Sequence, residues 1–118
     1  MKWAWLAVFI AFLAAQTPQA GKEIFDKRCG GCHAADRDKE GPRLGGVFGR
    51  RAGSVASFEY STALKNSKIT WDAATLDRWL TDTESVAPNN EMAFRVEKSE
   101  ERKAIIEYLR TLRSNAAQ

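Results

Sequence analysis

Cys29-Gly30-Gly31-Cys32-His33 is the stretch from which the rest of the chain can be read. Two thiols three positions apart, followed at once by an imidazole, form the attachment signature of a c-type haem. On a helical turn, residues three apart share a face, so both sulfurs can reach the vinyl groups along one edge of a single porphyrin. The histidine that follows offers its ring to the iron as the proximal ligand. Cys29 and Cys32 are the only cysteines among 118 residues, and His33 is the only histidine. Three other readings compete. A redox dithiol expects a βαβ context, whereas this chain has helical periods and no strand alternation. A closed zinc site needs four ligands, more than the Cys and His residues present. A disulfide across one turn would close a short loop and stabilise little.

The N-terminus reads as an export segment. Lys2 is followed by the apolar run Trp3 to Ala15 and a short polar exit, Gln16 to Ala20. This is the anatomy of a secretory signal peptide, and the run is short for a bilayer span. Residues 1–20 are therefore expected to be removed near Ala20, or earlier near Ala15; the competing reading is an uncleaved anchor facing the periplasm. Residues 21–118 form one domain, with a core so small that a buried porphyrin would supply its centre. Export also suits the haem reading, because attachment takes place outside the cytoplasm, which for a bacterial type of signal means the periplasm.

Periodicity predicts helices over Lys22 to Cys32, Ala73 to Thr81 with Asp72 as N-cap, and from Ser99 as N-cap to the chain's C-terminal part. Glu100 and Glu101 suit the start of the last helix, and Arg110 and Arg113 its end. Ser61 to Lys65 reads as a short helical turn, and residues 82 to 97 as loop. The glycine-punctuated stretch Gly41 to Gly53 lets backbone approach a flat body closely. It carries no G-K-[ST], so it is no phosphate loop.

With one histidine, a second axial ligand must be Met, Lys or Tyr, or the position stays open. Met92 is the only methionine that remains once the leader is removed. It stands in a polar loop and is expected as the ligand opposite His33; the plain alternative is a methionine filling a core gap. A thioether favours Fe(II), and two filled axial positions suit electron transfer rather than catalysis.

In order along the chain stand Gly21 and Phe25, the C-x-x-C-H motif and G-P-x-L-x-G-x-x-G-R (Gly41 to Arg50). After them come Phe58 and Tyr60, K-N-x-x-I-T-W (Lys65 to Trp71), P-x-x-x-M-x-F (Pro88 to Phe94) and Tyr108-Leu109. This series resembles class I cytochrome c of the mitochondrial type and its periplasmic bacterial relatives, over essentially all of Gly21 to Leu112. The resemblance implies an all-α, single-domain fold with crossed N- and C-terminal helices around one haem c, attached through Cys29 and Cys32. It implies that the Pro42 carbonyl accepts the proton on the far nitrogen of His33. It implies that Arg50, Tyr60 and Trp71 surround a buried propionate, and that Phe94 covers the haem edge. Trp79 stands where a tyrosine near the Met ligand is common, and Glu91 where lysine is frequent.

Residues 21–70 hold ten Lys/Arg and six Asp/Glu, and residues 71–118 hold seven and nine. Candidate docking cations are Lys22, Lys27, Arg28, Arg37 and Lys39, interrupted on the Met side by Glu84 and Glu91. Such a mixed face steers partners less than a uniform basic ring. No basic run points to nucleic acid. The expected function is a monomeric one-electron carrier, not an enzyme. Its donor would be a quinol–cytochrome c oxidoreductase or a dehydrogenase, and its acceptor a terminal oxidase or reaction centre. The alternatives are a haem enzyme or gas sensor with a labile sixth position, and a dedicated subunit of a periplasmic dehydrogenase.

Overall fold

The computed structural model describes residues 4–5, 7–10 and 17–113. The expected leader thus lies largely outside the described residues; of its apolar run, Trp5, Val8, Phe9 and Ile10 are exposed. No helix among the described residues is long and apolar enough to cross a membrane. Five helices follow: α1 (Pro18–Arg28), α2 (Thr62–Lys65), α3 (Ala73–Thr81), α4 (Thr83–Val86) and α5 (Ser99–Thr111). Among the described residues there is no strand, only an isolated antiparallel bridge between Arg51 and Thr70.

Helix α1 starts earlier and stops earlier than its periodicity predicts. Thr17 is the N-cap and accepts a hydrogen bond from the Ala20 amide. Pro18 takes the first helical position, where its missing N–H costs nothing. At the other end the Cys29 and Gly30 amides both bond to the Phe25 carbonyl, at 2.7 and 3.0 Å, and the helix closes at Arg28. Cys32 and His33 then bond back to the Cys29 carbonyl in a separate turn. Helix α3 has the predicted bounds, and Asp72 and Thr75 form a reciprocal capping box. Helix α4 lies inside the stretch expected as loop. In α5 the N-cap is Lys98 without a side-chain bond rather than Ser99, and the helix ends at Thr111, so Arg113 falls beyond its last turn.

α1 and α5 cross at Gly21. A Cβ there would sit 2.5 Å from the Ala104 carbonyl oxygen and 3.0 Å from Tyr108 Cβ. The close approach brings the Phe25 and Tyr108 rings within 5.1 Å. Further along, Arg28 Nε lies 2.7 Å from Glu101 Oε2, an ion pair by distance without the alignment of a hydrogen bond. Because the obstacle at Gly21 is helix backbone, Gly21→Ala must push the helices apart. The expected cost is about 1–3 kcal/mol, visible as a melting temperature lowered by roughly 5–15 °C. An unchanged melting curve would contradict this account of the crossing. Below the crossing, Ile105, Ile106 and Leu109 of α5 join Leu76, Trp79 and Leu80 of α3, with Val96 and Trp71, in one buried cluster.

Candidate haem site

A largely apolar cavity of about 1220 Å³, counted out to its open mouth, runs between these elements. The turn after α1 contributes Cys29, Cys32 and His33, the loop beyond it Gly41 and Pro42, and the segment ahead of α5 contributes Met92. The floor comes from Leu76, Trp79 and Leu80 of α3 and Ile105 and Leu109 of α5.

His33 is held on two sides. Its Nδ1 lies 2.8 Å from the Pro42 carbonyl oxygen. A carbonyl can only accept, so the proton is on Nδ1 and Nε2 keeps its lone pair, the form a metal ligand needs. Gly41 lies against the ring itself, so closely that a Cβ there would collide with Cε1, Nδ1 and Nε2. Burial lowers the His33 pKa below its ordinary value; the Pro42 bond acts in the opposite sense and is the smaller effect. The imidazole is therefore neutral and available to an iron.

The two thiols differ. Cys29 is buried, and its loss of solvation pushes its pKa up to about 11. Cys32 is exposed, and its thiol reaches Glu40 Oε2 at 3.5 Å, a contact that raises its pKa. Both are protonated at neutral pH. Neither is therefore a ready thiolate ligand for a bare metal ion, since metal-ligating cysteines are thiolates. No cluster of three or more His, Cys, Asp or Glu that could hold a bare metal ion occurs among the described residues. The cavity and its donors fit a porphyrin.

The residues expected around a propionate lie on the same wall. Arg50, half-buried, donates to the carbonyls of Arg43 at 3.0 Å and Gly45 at 3.3 Å. The Tyr60 hydroxyl accepts from the Val55 amide. Trp71 is buried and tilted against Trp79, ring centroids 5.5 Å apart. Both indoles line the cavity, as a tilted aromatic pair. Phe94 is half-buried at the core's edge and is not among the lining residues. A tether the sequence did not suggest joins the loops below. Asp38 accepts from the Arg43 amide and from Ser57 Oγ, and these bonds hold its pKa below the ordinary carboxylate value.

Met92 is half-buried and packs against the core, so it does have a packing environment in its loop. Around it, Asn90 Oδ1 accepts from the Met92 and Ala93 amides, at 2.8 and 3.0 Å. Thr83 Oγ1 accepts from the Phe94 amide at 3.0 Å.

Four of the five candidate docking cations are already engaged. Lys22 pairs with Asp26, Arg28 with Glu101, Arg37 with Asp36, and Lys39 donates to the Gly30 carbonyl. Glu40 and Glu91 stand at the cavity lining.

The family model for cytochrome c matches residues 18–113. Cytochrome c of Chlamydomonas reinhardtii is 42% identical over 94 residues, covering 76% of this chain and 84% of that protein. Cytochrome c2 iso-2 of Magnetospirillum molischianum is 41% identical over 88 residues, covering 72% and 91%. Among solved structures, cytochrome cH from Methylobacterium extorquens superposes with a TM-score of 0.75 at 36% identity, over 80% of this chain and 97% of that one.

Proposed function

This chain belongs to the cytochrome c family, with one haem c joined through Cys29 and Cys32, and from that premise we propose that it carries single electrons on an iron held between His33 and Met92. The observation that carries the ligand pair is that the two side chains, from different segments, line one cavity in which His33 has its Nε2 lone pair free. Bound haem c supplies an iron whose charge changes by one. His33 is oriented by Gly41 and Pro42, and Met92 would supply the second protein ligand to the iron. The apolar floor keeps water from the ring, and the linked loops at Arg50 and Asp38 limit how far the shell must reorganise. Electrons would enter and leave near Cys32, the exposed attachment point.

Export to the periplasm, as a monomer between a quinol-oxidising complex or dehydrogenase and an oxidase or reaction centre, is the setting we propose. The apolar run before Gln16 supports it. Because Thr17 and Pro18 start α1, removal of the leader near Ala15 preserves the helix cap, and removal near Ala20 destroys it. The holoprotein tests these points together. The oxidised form is expected to show the weak far-red absorption of thioether-ligated ferric haem, the reduced form to bind carbon monoxide only slowly, and the intact mass to start at Gln16. Rapid carbon monoxide binding would overturn the carrier reading in favour of an open-site enzyme or sensor, and a mass retaining residues 1–15 would overturn cleavage.

A further inference from the structure

We infer that Asn90, backed by Thr83, is a positioning residue for the sixth ligand: its buried carboxamide fixes the backbone that presents Met92 and so keeps the iron closed. The inference rests on Met92 as the axial ligand. Thr83 and Asn90 are the two buried polar side chains among the described residues, 1% and 9% exposed. Both spend their side chains on the same short run of backbone. Asn90 Nδ2 donates to the Ala87 carbonyl at 2.9 Å, which anchors the amide at the end of α4. Its Oδ1 takes the Met92 and Ala93 amides, and Thr83 takes the next one, Phe94. Three successive N–H groups that belong to no helix or sheet are thus satisfied by side chains.

The backbone there needs holding. Ala93 has φ of 43° and Asn89 φ of 67°. Asparagine tolerates the left-handed region, but alanine adopts it only where its surroundings impose it. Asn90 Oδ1 grips the amides on both sides of Met92's carbonyl, at the point where the chain is most displaced from its preferred conformation. The sequence also offers no substitute ligand nearby: Asp82 to Glu97 contains no lysine, histidine or cysteine. When this loop loosens, the vacated position passes to external ligands.

The test is Asn90→Ala in the holoprotein, with Gly21→Ala as a control that destabilises the fold at the α1–α5 crossing, outside the Met92 loop. Two amides stripped of a buried acceptor should raise the open fraction of the loop, and with it the carbon monoxide binding rate of the reduced form, on the order of tenfold or more. The far-red ferric absorption should weaken in parallel. Gly21→Ala should lower the melting temperature and leave carbon monoxide binding slow. Thr83→Val should act like Asn90→Ala but more mildly, and Thr83→Ser should restore slow binding. Carbon monoxide binding that stays at the wild-type rate in Asn90→Ala, or that rises equally in Gly21→Ala, overturns the inference. Wild-type amide exchange tests it without any variant: Met92, Ala93 and Phe94 should be protected, and rapid exchange at Met92 and Ala93 overturns it. A wild type that itself lacks the far-red absorption and binds carbon monoxide fast fails at the Met92 premise, whereas a closed wild type with an equally closed Asn90→Ala fails at the brace alone.

Discussion

Met92→Ala is expected to lower the reduction potential by hundreds of millivolts, a large part of the ~0.8 V range over which axial ligands act. The direction follows from the ligand chemistry, because the soft thioether stabilises Fe(II) and its loss leaves the oxidised form favoured. Folding should survive. Met92 is half-buried, so truncation costs about 2 kcal/mol at most, against a typical domain stability of about 5–15 kcal/mol. The covalent links at Cys29 and Cys32 keep the haem in place. A redox titration of the variant checks this, and a potential equal to the parent's would show that the iron takes its sixth ligand elsewhere.

Gly41→Ala is expected to be more damaging than its single methyl suggests. The added Cβ would fall on three atoms of the His33 ring. The backbone cannot simply retreat, because the Gly41 amide is bonded to the Cys32 carbonyl at 2.8 Å and its own carbonyl to the Lys39 amide at 2.9 Å. The ring must therefore turn and give up Pro42. Overpacking costs about 1–3 kcal/mol, and the polar groups left unpaired cost about 1–3 kcal/mol more. The sum, about 2–6 kcal/mol, is a large fraction of a typical domain stability of about 5–15 kcal/mol. Poor haem incorporation and a melting temperature lower by more than about 10 °C are expected. A fully loaded variant that melts like the parent would refute the steric account of this glycine.

The sequence was most legible where a side chain acts on its own neighbours. Asp72 and Thr75 announce α3 because the capping box is local. His33, Pro42, Arg50, Tyr60, Trp71, Trp79 and Met92 all line one cavity; taken singly the aromatics and Met92 also read as core, and only their order along the chain, through the family resemblance, marks them as a set. Other features were less legible. Pro18 resembles a boundary, and only the structure shows it as the first residue of α1, under a Thr17 cap. The glycines after Cys29 resemble helix continuation by spacing, although the shared Phe25 carbonyl ends the helix at Arg28. Pro88-Asn89-Asn90 reads as an ordinary turn. Nothing local distinguishes Asn90, whose amide is buried only once α4 and the Met92 loop have folded around it. Thr83 is hidden for the same reason, since its partner Phe94 is eleven residues away. The Cys32–Glu40 contact also depends on the path of a loop that the sequence leaves open.

The ion pairs around α1 and its following turn bear on how long a partner stays. Lys22, Arg28 and Arg37 already have carboxylates of their own. At Lys22 and Arg37 a carboxylate arriving on another protein must displace one that is present, so docking there trades one exposed pair for another of similar, small worth, whereas Arg28 stays with Glu101, whose Oε2 is buried. Little net free energy is released, and a complex held by little free energy parts quickly, since dissociation is where weak binding is expressed. For a carrier that leaves one partner before it serves the next, as the proposed function requires, brief dwell would be an asset: throughput would then be set by how often partners meet, with the home carboxylates favouring release.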